Sequence, residues 1–225
     1  MGKRLVKSLK YLFECFLSIV YPNKEVCLIC DEEYEEDYIC EKCKNLLIRV
    51  EKTMLDEYKG EKFTIHSCMH YTKELKKLIV DFKVHKNFLA GEVLKDIIID
   101  GVKFWNITGD LITYVPLSRS KEKKRGFNQC YYLAKKVAEF YSIPMKSLLY
   151  KENNIKEQKK LSKSERKSNV ENAFKIIERD TVNNKVIILI DDVVTTGATV
   201  LACAYELKKM GAKEVNILTV GQSRI

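Results

Sequence analysis

The stretch that most constrains this chain is VIILIDDVVTTGAT, residues 186–199. Five apolar residues, 186–190, make a run too short for a free helix and rich in β-branched side chains, as a central parallel strand requires. The run stops on Asp191 and Asp192, which places two carboxylates at the carboxyl end of a strand, where open α/β sheets bind their ligands. A nine-residue turn follows, with Thr195, Thr196, Gly197, Ala198 and Thr199 leading into a helix. Small residues there let backbone N–H groups and hydroxyls wrap a phosphate. Two carboxylates suit the 2′ and 3′ hydroxyls of a ribose and the loop suits a 5′-phosphate, so the pattern points to a ribose 5-phosphate compound. Neither a Walker loop nor a G-x-G-x-x-G fingerprint is present.

At 225 residues, with three prolines and nine glycines, the chain fits one medium domain with a small attachment and no obvious disordered linker. A boundary near residue 50 separates residues 1–50 from a main domain over residues 51–225. The net charge of +9 favours anionic ligands, from sugar phosphates to nucleic acid, without choosing among them. The first twenty residues are basic and then apolar, but Glu14 interrupts the apolar run and the run is short for a membrane span. Leu5, Leu9, Leu12, Phe16 and Ile19 recur at helical spacing and predict a packing helix instead.

Cys27, Cys30, Cys40 and Cys43 form C-x2-C-x9-C-x2-C, two knuckles that can converge four thiolates on one metal ion. Four protein ligands leave no open position, so structural Zn2+ is expected ahead of catalytic zinc, with a disulfide pair third. Metal spacing among the eight cysteines argues for a reducing, cytoplasmic setting. Cys15, Cys68, Cys130 and Cys203 read as small buried hydrophobes.

Between these landmarks, the pattern predicts an extended FTIHSCMHY segment and a helix in YTKELKKLIVDFK. A second helix is expected from 88 to about 105, and another from about 128 to 141. Lys83 and His85 read as a solvated helix terminus. A strand over 111–117 runs into SRSKEKKRGFNQ, which sets Arg119, Lys121, Lys123, Lys124 and Arg125 on the same sheet edge as Asp191. The polar segment with Gln158, Arg166 and Asn169 reads as a lid loop.

The paired acids followed by Thr-Thr-Gly-x-Thr resemble the phosphoribosyl diphosphate (PRPP) signature of type I phosphoribosyltransferases. Adding the apolar entry helix ending in Tyr-Pro, the CxxC knuckles and VPLSRSKEKKRGFNQ, nearly the whole chain resembles the competence-protein F family. That resemblance implies a type I phosphoribosyltransferase fold, a parallel sheet flanked by helices, with a small N-terminal zinc ribbon. It also implies Asp191 and Asp192 on the ribose, residues 195–199 on the 5′-phosphate, and Arg119 on the diphosphate, with Lys123 and Arg125 in the same basic loop. Mg2+ would accompany PRPP. The family is associated with uptake of single-stranded DNA in natural transformation.

Hypoxanthine-type enzymes carry a carboxylate within the phosphate loop as general base, and here that position is Thr195. Three readings stay open at this point. One is an active transferase with an unassigned acceptor. Another is a nonenzymatic PRPP sensor or single-stranded-DNA-binding scaffold for a DNA-translocation helicase. The third is an adaptor whose ribbon docks a partner. None requires a membrane span.

Overall fold

The computed structural model describes residues 26–34, 36–152, 174–177 and 181–223. The expected N-terminal helix, Cys15 and the proposed lid residues Gln158, Arg166 and Asn169 lie outside the described residues. The chain divides into two compact units, Met1–Lys44 and Asn45–Ile225.

In the first unit, an antiparallel bridge between Val26 and Glu33 closes a tight hairpin. The Cys27 N–H donates to the Glu32 carbonyl at 2.8 Å. The acidic residues 31–33 are exposed. The short helix α1 (Glu41–Lys44) follows and buries Cys43.

The second unit begins with β1 (Met54–Tyr58), β2 (Glu61–His70), α2 (Lys73–Lys83) and α3 (Phe88–Phe104). It continues through β3 (Leu111–Tyr114), α4 (Arg119–Arg125), α5 (Gln129–Tyr141), β4 (Leu149–Lys151) and β5 (Phe174–Ile176). The last elements are β6 (Val186–Val194), α6 (Ala198–Lys209) and β7 (Glu214–Gln222). Five strands form one sheet in the order β1-β2-β7-β6-β3, and β4 pairs with β5 apart from it. Only the β1–β2 hairpin is antiparallel within the five-stranded sheet. The fold is therefore α/β with a mostly parallel sheet.

Parallel strands must be covered on both faces. Ile187, Leu189 and Ile217 face one way and share a buried core with Val200, Leu201 and Ala204 of α6. The alternate row faces α3 and α5. Gly101 of α3 sits so close to β2 that a Cβ there would overlap Cys68 Sγ. The near-continuous apolar runs of β6 and β7 follow from this double coverage, since most of their positions are buried.

Three element boundaries differ from the sequence expectation, and each difference has a physical cause. β3 ends at Tyr114 instead of residue 117: the Val115 N–H still reaches Ile190 O at 3.0 Å, and Pro116 then offers no donor. β6 runs on past residue 190 to Val194, because β7 continues to pair with it at Asp191–Thr219, Val193–Gly221 and Val194–Gln222. Backbone pairing is indifferent to the charge of the side chains it carries. Asp191 and Asp192 are thus inside the strand, and the turn that follows shrinks to residues 195–197. The basic segment, expected as a loop, is the helix α4, started by Ser118 Oγ accepting from the Lys121 N–H at 3.4 Å and ended at Gly126.

Candidate functional site

Because β6 outruns β3, its last four residues are paired on one side only, and the acid pair sits at this opening. Consecutive strand residues point to opposite faces. Asp191 continues the row of Ile187 and Leu189 but reaches Cys130 of α5, Asp192 meets Lys83 of α2 and Gln129 of α5, and one oxygen of each acid lies within 4.8 Å of the other. Both are buried.

Asp191 Oδ1 accepts the Cys130 thiol at 3.1 Å and the Asp192 N–H at 2.9 Å. Among the described residues its Oδ2 has no protein hydrogen bond, and Asp191 lines a concavity formed by residues 193–200. Burial, reinforced by Asp192, pushes its carboxyl up to about 7. Burial likewise drives the Cys130 thiol far above its ordinary value, with Asp191 adding to the effect, so Cys130 is a proton donor here and not a nucleophile.

Asp192 has more protein partners. The Val193 N–H donates to its Oδ1 at 2.6 Å, the Gln129 amide donates to Oδ2 at 2.6 Å, and the Lys83 ammonium is in direct contact with Oδ2. Burial opposes the charge on Lys83, but Asp192 outweighs it and leaves the lysine above its ordinary pKa. The cation met by the buried trio Cys130, Asp191 and Asp192 is therefore the chain's own. Lys83, expected as a solvated helix end, is in fact 22% exposed and directed inward. His85, two residues on, is exposed.

Aromatic packing explains this arrangement. Phe82 is buried at the end of α2 and contacts Phe127 and Tyr132, with ring centroids 5.1 Å away in each case. This pins the turn before α5. Asn128 then caps α5, accepting from the Cys130 and Tyr131 N–H groups at 2.9 and 3.3 Å and donating to Val115 O at 3.2 Å. Gln129 and Cys130 follow directly and face the acids. Gln129 also accepts from Arg125, so α4 is linked to Asp192 through one amide. The side chains of Arg119 and Lys123 are exposed on α4. Among the five cations of this segment, Arg125 is the one that this relay ties to the acid pair.

The concavity itself is built on backbone. Gly197 is the N-cap of α6 at φ +78° and makes no side-chain cap bond, so the helix N–H groups after Ala198 are left to a ligand. A Cβ at Gly197 would be strained at that φ and would lie 3.3 Å from Asp56 Oδ2. Thr195 and Thr196 are exposed, Ala198 and Thr199 half-buried, and the Thr196 hydroxyl accepts from the Ala198 N–H at 3.4 Å. Small residues, the start of α6 and Asp191 thus line one concavity.

A second cluster lies in the first unit. The sulfurs of Cys27, Cys30, Cys40 and Cys43 lie within 4.8 Å of one another, and Cys30 Sγ is 3.8 Å from Cys40 Sγ. A tetrahedral centre with metal–sulfur bonds of about 2.3 Å needs sulfurs about 3.8 Å apart, whereas a disulfide needs about 2.05 Å. The set fits a metal ion. Burial raises the Cys27 thiol, but the Ile29 and Cys40 N–H groups, each 3.4 Å away, help bring it down to about 6. A thiolate ligand is therefore available at neutral pH.

No family model matches the chain. Competence protein F of Haemophilus influenzae is 28% identical over 155 residues, covering 66% of this chain and 68% of that protein. Competence protein ComFC of Bacillus subtilis is 28% identical over 219 residues, 95% of this chain and 85% of the relative. This chain is a homologue of those competence proteins. The DNA utilization protein YhgH of Escherichia coli is 33% identical over 109 residues, about half of each chain. Among solved structures, the adenine phosphoribosyltransferase of Giardia lamblia with 9-deazaadenine aligns at TM-score 0.44 and 13% identity, over 81% of this chain and 97% of that one. The glutamine PRPP amidotransferase of B. subtilis with ADP and GMP aligns at TM-score 0.42 and 21% identity, over 58% of this chain. The match spans about a quarter of the amidotransferase, 26%. Superpositions at these TM-scores add nothing to the sheet order described above.

The raised Asp191 carboxyl has a stability consequence. Its folded pKa of about 7 lies above the ordinary 3.8, so the folded state holds a proton that the unfolded state has released between these values. This contribution is complete below pH 4 and lost as pH rises through 7. Carboxylates such as Glu92, which burial would raise but Tyr132 and two lysines bring down to about 2, work in the opposite sense. In urea unfolding of the ligand-free protein, Asp191→Asn is expected to gain stability relative to the parent between pH 5 and pH 8, on the order of a few kcal/mol. A mutant-minus-parent difference flat over that range would contradict the assignment.

Proposed function

We propose that this chain binds PRPP with Mg2+ at the carboxyl edge of its sheet and acts as a phosphoribosyltransferase in DNA uptake. The observation that carries the reading is the start of α6 at Gly197, which shares one concavity with Asp191. In this reading the N–H groups and hydroxyls of residues 195–199 take the 5′-phosphate and the acid pair takes the ribose hydroxyls. Arg119, Lys123 and Arg125 of α4 receive the diphosphate, whose charge grows as it leaves. Mg2+, when bound with PRPP, neutralises the diphosphate and lowers the cost of its departure. Attack of an acceptor at C1 then breaks the bond to diphosphate, and the acceptor's proton passes to solvent or to a base supplied with the acceptor. Thr195 stands where a purine-specific enzyme of the hypoxanthine type has a carboxylate.

Relatives named for competence and DNA utilization support the cellular role. The positive charge of α4 suits single-stranded DNA as well as a diphosphate, and a DNA-uptake helicase is the fitting protein partner. Among the described residues no helix is long and apolar enough to cross a membrane. Free thiols among the described cysteines favour a reducing, cytoplasmic compartment.

PRPP with Mg2+ is expected to raise thermal stability, since a ligand selective for the folded state adds about 2.7 kcal/mol at a hundredfold excess over Kd. The double variant Asp191→Asn, Asp192→Asn is expected to lose that response, and diphosphate release with a panel of nitrogen acceptors reports turnover. An unchanged thermal shift in the double variant would overturn the ribose assignment.

We further propose that the metal of the first unit is Zn2+, one per chain, in a structural role. Metal analysis after purification without chelator is expected to find it, and Cys40→Ser to lose it while the second unit keeps its cooperative unfolding. Absence of zinc in the parent would refute this.

A further inference from the structure

Two adjacent carboxylates at the sheet opening differ in every contact they make. Asp192 is surrounded: Lys83 and Gln129 meet its Oδ2 and the Val193 N–H its Oδ1. Asp191 lines the concavity of residues 193–200, and among the described residues its Oδ2 has no protein hydrogen bond. Strand alternation directs the two side chains differently, yet one oxygen of each lies within 4.8 Å of the other. The lysine's place is also built, not incidental. The preceding residue, Phe82, is fixed among Phe88, Phe127 and Tyr132, so Lys83 leaves the last turn of α2 directed at the acid. Gln129 is fixed in one orientation by donating to Asp192 and accepting from Arg125.

We propose that Lys83 is a positioning residue of this site: with Gln129 it holds Asp192 as the charge-compensated member of the pair, while Asp191 keeps one oxygen without a protein hydrogen bond. The inference rests on the ribose-phosphate reading for what the ligand is, but the division of the two acids does not depend on it. Removing the ammonium leaves two buried carboxylates with no cation beside them. They must then share a proton, and Asp191 loses its distinct role.

The charged and titratable groups facing the pair are Lys83 from α2, Cys130 from α5 and Cys203 from α6, with Arg125 of α4 acting through Gln129. The test uses the whole ligand-free chain with 13C-carboxyl-labelled aspartate, followed by NMR from pH 5 to 9, in the parent, Lys83→Met and Lys83→Arg. The parent is expected to show one carboxyl of the pair titrating in this range while the other stays ionised. Lys83→Met is expected to move the second carboxyl into the range, and Lys83→Arg to restore the parental pattern. Affinity for ribose 5-phosphate is expected to fall at least tenfold in Lys83→Met and to stay within threefold of the parent in Lys83→Arg.

If Lys83→Met does not fold, Gln129→Leu removes the second donor without burying a lone charge, and is expected to shift the same carboxyl in the same direction. Parental titration in Lys83→Met, or in Gln129→Leu where that variant stands in, would overturn the proposal. A parent that binds no ribose 5-phosphate would defeat the ligand reading while the NMR series still decides the role of Lys83.

Discussion

Two carboxylates side by side in a buried strand must each be compensated, and the second unit is arranged around that requirement. Stripping water from one such group costs several kcal/mol when nothing replaces it. Asp192 obtains an ammonium, a primary amide and a backbone N–H, while Asp191 obtains a thiol and a backbone N–H and keeps its proton to about pH 7. These donors come from α2, α5 and the strand itself. The aromatic contacts of Phe82, the Asn128 cap and the Arg125–Gln129 link all serve to hold those donors where the acids need them. Once ionised above about pH 7, the Asp191 carboxylate suits a ligand that brings hydroxyl donors together with its phosphate.

The opening exists because neighbouring strands end at different heights. β3 stops where Pro116 withholds a donor, and β6 continues because β7 continues. The step in the sheet edge leaves the last residues of β6 unpaired on the β3 side while their backbone stays paired to β7. A three-residue turn then delivers the chain to α6, and Gly197 makes that turn possible through its positive φ. The concavity and the acid are therefore set largely by main-chain geometry, with the Thr196 hydroxyl holding the Ala198 N–H.

Much of this was legible in the sequence. The apolar run before Asp191 identified a central strand, the knuckle spacing identified the four-sulfur cluster, FTIHSCMHY identified β2, and helices α2, α3 and α5 fell within a residue or two of their periodic patterns. What escaped was of two kinds. Strand ends are fixed by pairing, so the continuation of β6 through two aspartates was hidden from a reading based on hydropathy, as was the short strand β1 that pairs with β2. Inward-pointing charge was hidden too. Lys83 looks like any basic residue closing a helix, and only the packing of Phe82 against an element 45 residues away turns it towards Asp192. Gln129 had a fainter signal, since it follows a cap-forming Asn128 at the sheet's ligand edge.

In the proposed function, the α6 N-terminus and Asp191 form one binding site. A crystal structure of the whole chain with PRPP and Mg2+ decides this. The 5′-phosphate is expected on the N–H groups following Gly197, a ribose hydroxyl within hydrogen-bonding distance of Asp191 Oδ2, and Asp192 still held by Lys83. A phosphate seated elsewhere, or a sugar bound to Asp192 with Lys83 displaced, would contradict it.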